Sequence, residues 1–280
     1  MPAPDAITCD KLAKLIGTPR APVVLDIRRE ALRAEDRRLI AAARPLPDAA
    51  LTPAGLAALA ADLGADLSGP VVVACAEGHG RSQGLAAWLR QAGIAAEYLE
   101  GGYAAWRGGG HPTFDPGRIT GRDAQGRSLW VTRSRPKIDR IACPWLIRRF
   151  VDPRAVFLFV APSEVAPVAD LLGAMPFDIE GVFWSHRGET CSFDTMLAEF
   201  GLRLPALDRL ALLVRGADTA RPDLAPEAAG LLAASLGLSR MYADDLAQLE
   251  AGMMLYDAFY RWARDASEER HDWPARGGAA

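Results

Sequence analysis

Cysteine and histidine are both scarce, four of each in 280 residues. Cys9, Cys75, Cys143 and Cys191 are widely separated and form no CxxC pair, which argues against a disulfide scaffold. No stretch of about 18 uncharged apolar residues occurs, and no charged-then-apolar leader with a small-residue cleavage site, so the expected location is cytoplasmic with no membrane partner. An excess of positive charge is also missing. The net charge is −3 and the pI about 5.9, which removes the general electrostatic argument for a nucleic-acid partner and leaves only a local basic face to support one. Half of the residues are hydrophobic, enough for two domains each with its own core.

What the chain does have is concentrated in residues 71–89, VVVACAEGHGRSQGLAAWL. Val71 to Ala74 predict a short buried strand, a Gly-rich loop opens at Cys75, and a helical pattern runs over 82–92 to Gly93. Loop N–H groups and the N-terminus of the following helix favour an anion, the Cys75 thiolate included, and lowering a thiol below its free pKa of about 8.5 makes it nucleophilic near neutrality. Gly78 and Gly80 allow the backbone to approach a bound group closely. Cys75 and Arg81 are the catalytic candidates; Ala76, Glu77, Gly78, His79, Gly80 and Ser82 are the loop's substrate-binding candidates.

Around this loop, strands are expected over 23–27 and 97–99. Asp10 caps a helix through Ile16, another helix starts at Thr52-Pro53, and residues 31–43 carry a helical composition. Alternation of strand and helix argues a largely parallel sheet with helices on both faces and ligands at strand carboxyl ends, where Cys75 stands.

Residues 8–107 resemble the rhodanese (sulfurtransferase) family. The matching positions are Val24-Leu25-Asp26-Ile27-Arg28, the Cys75 loop ending in Arg81-Ser82, and Leu99-Glu100-Gly101-Gly102 followed by Trp106. The resemblance implies that Cys75 takes a sulfane sulfur as a persulfide from a small-molecule donor and passes it to a thiol acceptor with no cofactor, and it adds Asp26 and Arg28 to the substrate-binding candidates. Two departures stand out. Leu46-Pro47-Asp48-Ala49 replaces the family's Ile-Pro-Gly-Ala turn, and the loop reads C-x5-R-S where rhodaneses often read C-x4-R-S. The longer spacing is similar to that of rhodanese-fold and other cysteine phosphatases, so phosphatase or arsenate-reductase-like chemistry is an alternative, with His79 and Glu77 as available acids.

Residues 108–128, rich in Gly and Pro, are expected to form a linker. Beyond it, strands are expected over 129–132, 156–160 and 181–185, and helices over 144–150 with Pro144 at its first position, from Ser163 to Leu172, from Ser192 to the stop at Gly201, and in a final long helix carrying Leu246 to Tyr260. Trp145, Met253 and Met254 are expected core. The tail, 266–280, is polar. Arg133, Arg135, Lys137 and Arg140 form a basic cluster suited to a tetrahedral oxyanion, and Cys143, His186 and Cys191 are candidate metal ligands. Asp218 and Asp257 read equally as caps, ion-pair partners or inward-facing carboxylates.

Residues 129–265 resemble the C-terminal domain of the bacterial chromate-resistance family ChrB. The resemblance rests on residues 133–150, with Asp139-Arg140-Ile141-Ala142-Cys143-Pro144-Trp145-Leu146-Ile147-Arg148-Arg149 its most specific piece, on residues 186–194, on Arg215-Gly216-Ala217-Asp218 and on residues 252–257. It implies a role in chromate tolerance, with chromate or a related oxyanion as ligand. The expected fold is thus α/β, a rhodanese-like parallel sheet with helices on both faces, followed by a helix-rich mixed α/β second domain. A chromate sensor or regulator with an idle rhodanese fold is the other alternative.

Overall fold

Val23–Asp26 and Val71–Ala74, two short β-branched runs, pair in parallel at the centre of the first half. A computed structural model of the chain describes residues 5–66 and 69–269. In chain order the first half runs β1 (Ala6–Ile7), α1 (Cys9–Leu15), β2 (Val23–Asp26), α2 (Glu30–Glu35), β3 (Leu39–Ile40), β4 (Ala43–Pro45), α3 (Pro53–Asp66), β5 (Val71–Ala74), α4 (Gly80–Gln91), β6 (Ala96–Leu99) and α5 (Gly102–Gly108). The main sheet has the order β1-β6-β5-β2-β4, every neighbour parallel. Side chains alternate across it: Val24, Val72, Ala74 and Leu99 pack with Leu12 and Trp106 on one face, while Leu25, Val71 and Val73 pack with Leu59, Leu63, Leu85 and Leu89 on the other. Helices therefore cover both faces, as the sequence predicts.

The second half follows as β7 (Thr113–Phe114), β8 (Leu129–Arg133), α6 (Asp139–Phe150), β9 (Val156–Val160), α7 (Val165–Leu172), β10 (Met175–Pro176), α8 (Ser192–Phe200), α9 (Pro205–Asp218), α10 (Ala228–Met241) and α11 (Asp245–Asp265). A small parallel sheet, β10-β8-β9, is flanked by these helices. No helix among the described residues is long and apolar enough to cross a membrane. The tail read as polar lies outside the described residues from 270 onward.

One hydrophobic cluster runs through both halves, beside a separate one in each. The α1–α5 face of the first sheet continues into Trp145, Phe150, Tyr256 and Tyr260, and a Cβ on Gly17 would sit 2.5 Å from the Phe150 ring. The connecting segment is tied down: β7 pairs antiparallel with β3, and Arg38 donates to the carbonyl oxygens of Thr113 and Gly201.

Local differences from the expected elements have identifiable causes. Residues 31–43 are not one helix, because Arg28 takes the carbonyls of Asp36 and Arg38, after which the chain extends into β3 and β4. Pro144 lies inside α6, which starts at Asp139. The missing N–H there is outweighed by burial of every residue from Ile141 to Ile147. Residues 181–185 form no strand. Trp184 makes a single bridge to Phe177, and the third strand of the small sheet is β10. Met254 is exposed, whereas Trp145 and Met253 are core.

Candidate functional site

Cys75 follows the last residue of β5, and its carbonyl accepts from the Tyr103 N–H at 2.8 Å while that of Ala76 accepts from Ala104 at 2.9 Å. The first turn of α5 thus clamps the loop from outside. The clamp needs glycine: a Cβ on Gly102 would lie 2.5 Å from both the Cys75 carbonyl and the Gly78 nitrogen, and Gly78 and Gly102 both adopt positive φ. Held this way, the Gly78 N–H points at Cys75 Sγ at 3.2 Å, and Ser82 Oγ, fully buried in the first turn of α4, lies 3.1 Å from the sulfur. Burial opposes the thiolate, but the hydrogen bond between Ser82 Oγ and the sulfur and those from the N–H groups of Glu77, Ser82 and Gly78 outweigh it, and the Cys75 thiol sits below its ordinary pKa; the Ser82 hydroxyl also reaches the His79 carbonyl at 3.1 Å. Cys9, half-buried beside Asp10 and Glu100, shifts the other way, raised by burial and by those two carboxylates.

The structure brings together Cys75, Ala76, Gly78 and Ser82. Glu77 and His79 are exposed and face each other at 3.9 Å, and Gly80 opens α4. Arg81 is turned elsewhere: its Nε donates to the Ile27 carbonyl at 2.8 Å and its terminal nitrogen pairs with Asp48. It ties the start of α4 to the end of β2. Asp26 and Arg28 are corrected from substrate-binding to structural residues. They are 0% and 2% exposed, Arg28 fills both Asp26 oxygens, its remaining nitrogens hold the Asp36 and Arg38 carbonyls, and its guanidinium lies 3.6 Å from the Tyr103 ring centroid. Burial and these contacts hold the pair inside the fold, away from the Cys75 loop's open face.

In the second half the basic cluster divides. Arg135 closes the C-terminal end of α10 through the carbonyls of Ser239 and Tyr242, and Lys137 is a half-buried turn residue whose carbonyl accepts from Arg140 N–H. Arg133 and Arg140 instead reach the same carboxylate, Asp178, at 3.6 and 3.3 Å. The Arg140 contact is an ion pair without hydrogen-bond alignment at Nε. Cys143 and Cys191 are fully buried, with thiols pushed upward by burial and then by Asp139, and they do not join His186 in a ligand set. Cys191 instead precedes α8, its N–H donating to Asp194, which Arg215 grips through two nitrogens.

His186 meets carboxylates. A tight turn, in which Arg187 and Thr190 exchange backbone hydrogen bonds, sets it against Asp218 at 3.1 Å, Asp178 at 3.5 Å and Asp139 at 3.6 Å. Hydrogen bonding to Asp178 and the surrounding negative charge raise the imidazole to about 9 against the opposing effect of burial. Asp139, on the first turn of α6, is raised well above the carboxylate range by burial and by Asp218 and Asp178. Asp218, at the end of α9, is raised by burial and by Asp178, against His186. A cavity of about 530 Å³ opens beside Arg133, Asp178, Ser185 and His186. Sequence reasoning missed Asp139 and Asp178 here. The former stood inside the most specific ChrB-like segment, and the latter adopts φ +51°, a buried non-glycine residue in the left-handed region. Asp257, by contrast, is an ion-pair partner, taken by Arg149 and the Trp145 indole.

Comparison with known proteins divides the chain at the same place. Residues 8–108 match the rhodanese-like domain and residues 130–263 match the C-terminal domain of ChrB. Protein ChrB of Cupriavidus metallidurans is 37% identical over 155 residues, 54% of this chain and 46% of that protein, so the match spans less than half of the relative. Among solved structures, a rhodanese-related protein from Thermoplasma volcanium is 25% identical over 39% of this chain and 95% of its own, with a TM-score of 0.30. The As-Sb reductase from Leishmania major is 20% identical over 44% and 89%, with a TM-score of 0.34.

Proposed function

From a chain that joins a rhodanese-like domain to a ChrB C-terminal domain, we propose a sulfurtransferase that carries sulfane sulfur on Cys75 and works in chromate tolerance. The observation that carries the reading is the geometry at the carboxyl end of β5, where Ser82 Oγ and the Gly78 N–H lie 3.1 and 3.2 Å from Cys75 Sγ and favour its thiolate. The thiolate attacks the outer sulfur of thiosulfate. A Cys75 S–S bond forms, the donor S–S bond breaks, and sulfite leaves with the bonding electron pair. The loop N–H donors then stabilise the terminal persulfide anion as they do the thiolate. A nucleophilic acceptor takes the outer sulfur and returns the thiolate. Arg81, committed to Ile27 and Asp48, is a positioning residue that fixes the loop against β2.

Phosphatase-like chemistry is less well supported. Such a reaction needs the C-x5-R guanidinium on the substrate oxygens and an acid for the leaving group, while Arg81 is otherwise engaged and Glu77 and His79 are exposed to solvent.

Intact mass after incubation with thiosulfate tests the reading. The protein gains one sulfur atom, cyanide removes it as thiocyanate, and Cys75→Ser gains nothing. Absence of the adduct overturns sulfur transfer, and full chromate tolerance in cells carrying Cys75→Ser overturns its link to the second domain.

A further inference from the structure

His186 and the carboxylates around it form a cluster whose charges are poorly matched by the protein alone. Asp178 has two guanidiniums within ion-pair reach, Arg133 and Arg140, and also accepts from Ser192 Oγ. Asp139 and Asp218 have neither: among the described residues the one cationic side chain within 4 Å of either is His186. A single Nε2–H can donate along one line, yet it stands 3.1 to 3.6 Å from three carboxylates. Asp139 adds an independent observation. It is 0% exposed, its Oδ2 accepts the Ser192 N–H, and its Oδ1 is buried with no hydrogen-bond donor. A carboxylate oxygen left bare at such depth is costly unless something positive meets it.

An oxyanion does not fit that need, since both guanidiniums already lean on Asp178 and every other side chain at the centre except His186 is an acid. A cation fits. One donor atom from each of Asp139, His186 and Asp218 lies within 4.8 Å of the other two, a spacing from which a single ion can touch all three. The donors come from separate elements, α6, the turn after β10 and the end of α9, so the packing of the domain preorganises them. Imidazole nitrogen with carboxylate oxygen suits a borderline first-row ion over Ca²⁺ or Mg²⁺, and the buried thiols Cys143 and Cys191 stay outside the set. We propose that Asp139, His186 and Asp218 hold a divalent first-row transition cation. Its remaining coordination faces the cavity beside Arg133 and Ser185, where water or an exchangeable ligand completes it. Asp178 acts on the site as a positioning residue, fixing Arg133, Arg140 and Ser192 around it.

Titration of the chelator-treated full-length protein with Zn²⁺ by calorimetry, and with Mn²⁺ by electron paramagnetic resonance, tests the site. Cys75→Ser serves as the background so that the loop thiolate does not compete for metal. One ion binds per chain, and His186→Gln and Asp218→Asn each weaken binding by at least about tenfold. Zero stoichiometry for both ions, or undiminished affinity in His186→Gln, overturns the proposal. Asp139→Asn should weaken binding as well. His186→Gln carries the decision, because its side chain is 40% exposed and circular dichroism can verify its fold.

Discussion

Asp26 and Asp139 are both completely buried carboxylates, one in each half, and they are treated in opposite ways. Asp26 lies under Arg28, which fills both its oxygens and spends its other nitrogens on nearby carbonyls. Asp139 has one backbone donor, a bare second oxygen, and two more carboxylates converging on the same imidazole. A buried charge with every valence used holds a fold together. One with valences left over marks a place where the fold accepts a penalty, and such places are where ligands are to be sought.

The contrast predicts that the two residues respond to the same substitution with opposite signs. Asp26→Asn leaves the Arg28 guanidinium buried without its counter-charge and should destabilise the protein by about 3–5 kcal/mol, read as a fall in the urea midpoint. An unchanged midpoint would break the comparison at its firmer end. Asp139→Asn, measured in chelator at neutral pH, should raise the midpoint by about 1–3 kcal/mol, because an amide keeps an acceptor for the Ser192 N–H and, unlike the carboxyl that burial and its acidic neighbours push upward, need not take up a proton on folding. Added Zn²⁺ should then stabilise the parent protein and leave the Asn variant unmoved. A loss of stability in chelator would mean that the Asp139 carboxylate has a partner after all.

The same contrast explains how much could be read beforehand. The Cys75 site is local: strand, loop nucleophile and helix start fall within about a dozen consecutive residues, and β-branched runs and glycines mark the boundaries. Its outer clamp was visible as Gly101-Gly102, although contact with the Cys75 carbonyl came only from the fold. A guanidinium near a nucleophile looks the same in sequence whether it faces a ligand or a backbone carbonyl, and Arg81 and Arg28 each hold a carbonyl here. The His186 cluster is nonlocal, assembled from positions 139, 178, 186 and 218 on four segments, and each acid alone reads as a cap or a surface charge. Asp218 and Asp257 show the limit plainly, since both sit on helices among apolar residues and only the fold sends one to Arg149 and the other to His186.

The smallest effect concerns the residue that sharpens the Cys75 side of the comparison. Ser82 supplies the largest of the hydrogen-bond effects that lower the Cys75 thiol, while burial opposes them. Ser82→Ala removes that donor and leaves burial in place, so the thiol must move upward and the thiolate must become scarcer at neutral pH. Alkylation of Cys75, followed by peptide mass at a series of pH values, should shift its midpoint to higher pH and slow by about 3- to 10-fold at pH 7. The greater intrinsic nucleophilicity of a more basic thiolate offsets part of that loss, and the two proteins should converge at alkaline pH, where both are ionised. Cys9, whose thiol is raised by burial and by Asp10 and Glu100, provides the internal reference: its slower alkylation should be the same in both proteins. A Cys75 profile unmoved by Ser82→Ala would assign the lowered pKa to the backbone donors of Glu77, Gly78 and Ser82 alone. The loop's shape, fixed by Gly78 and Gly102, would then be the source of its reactivity.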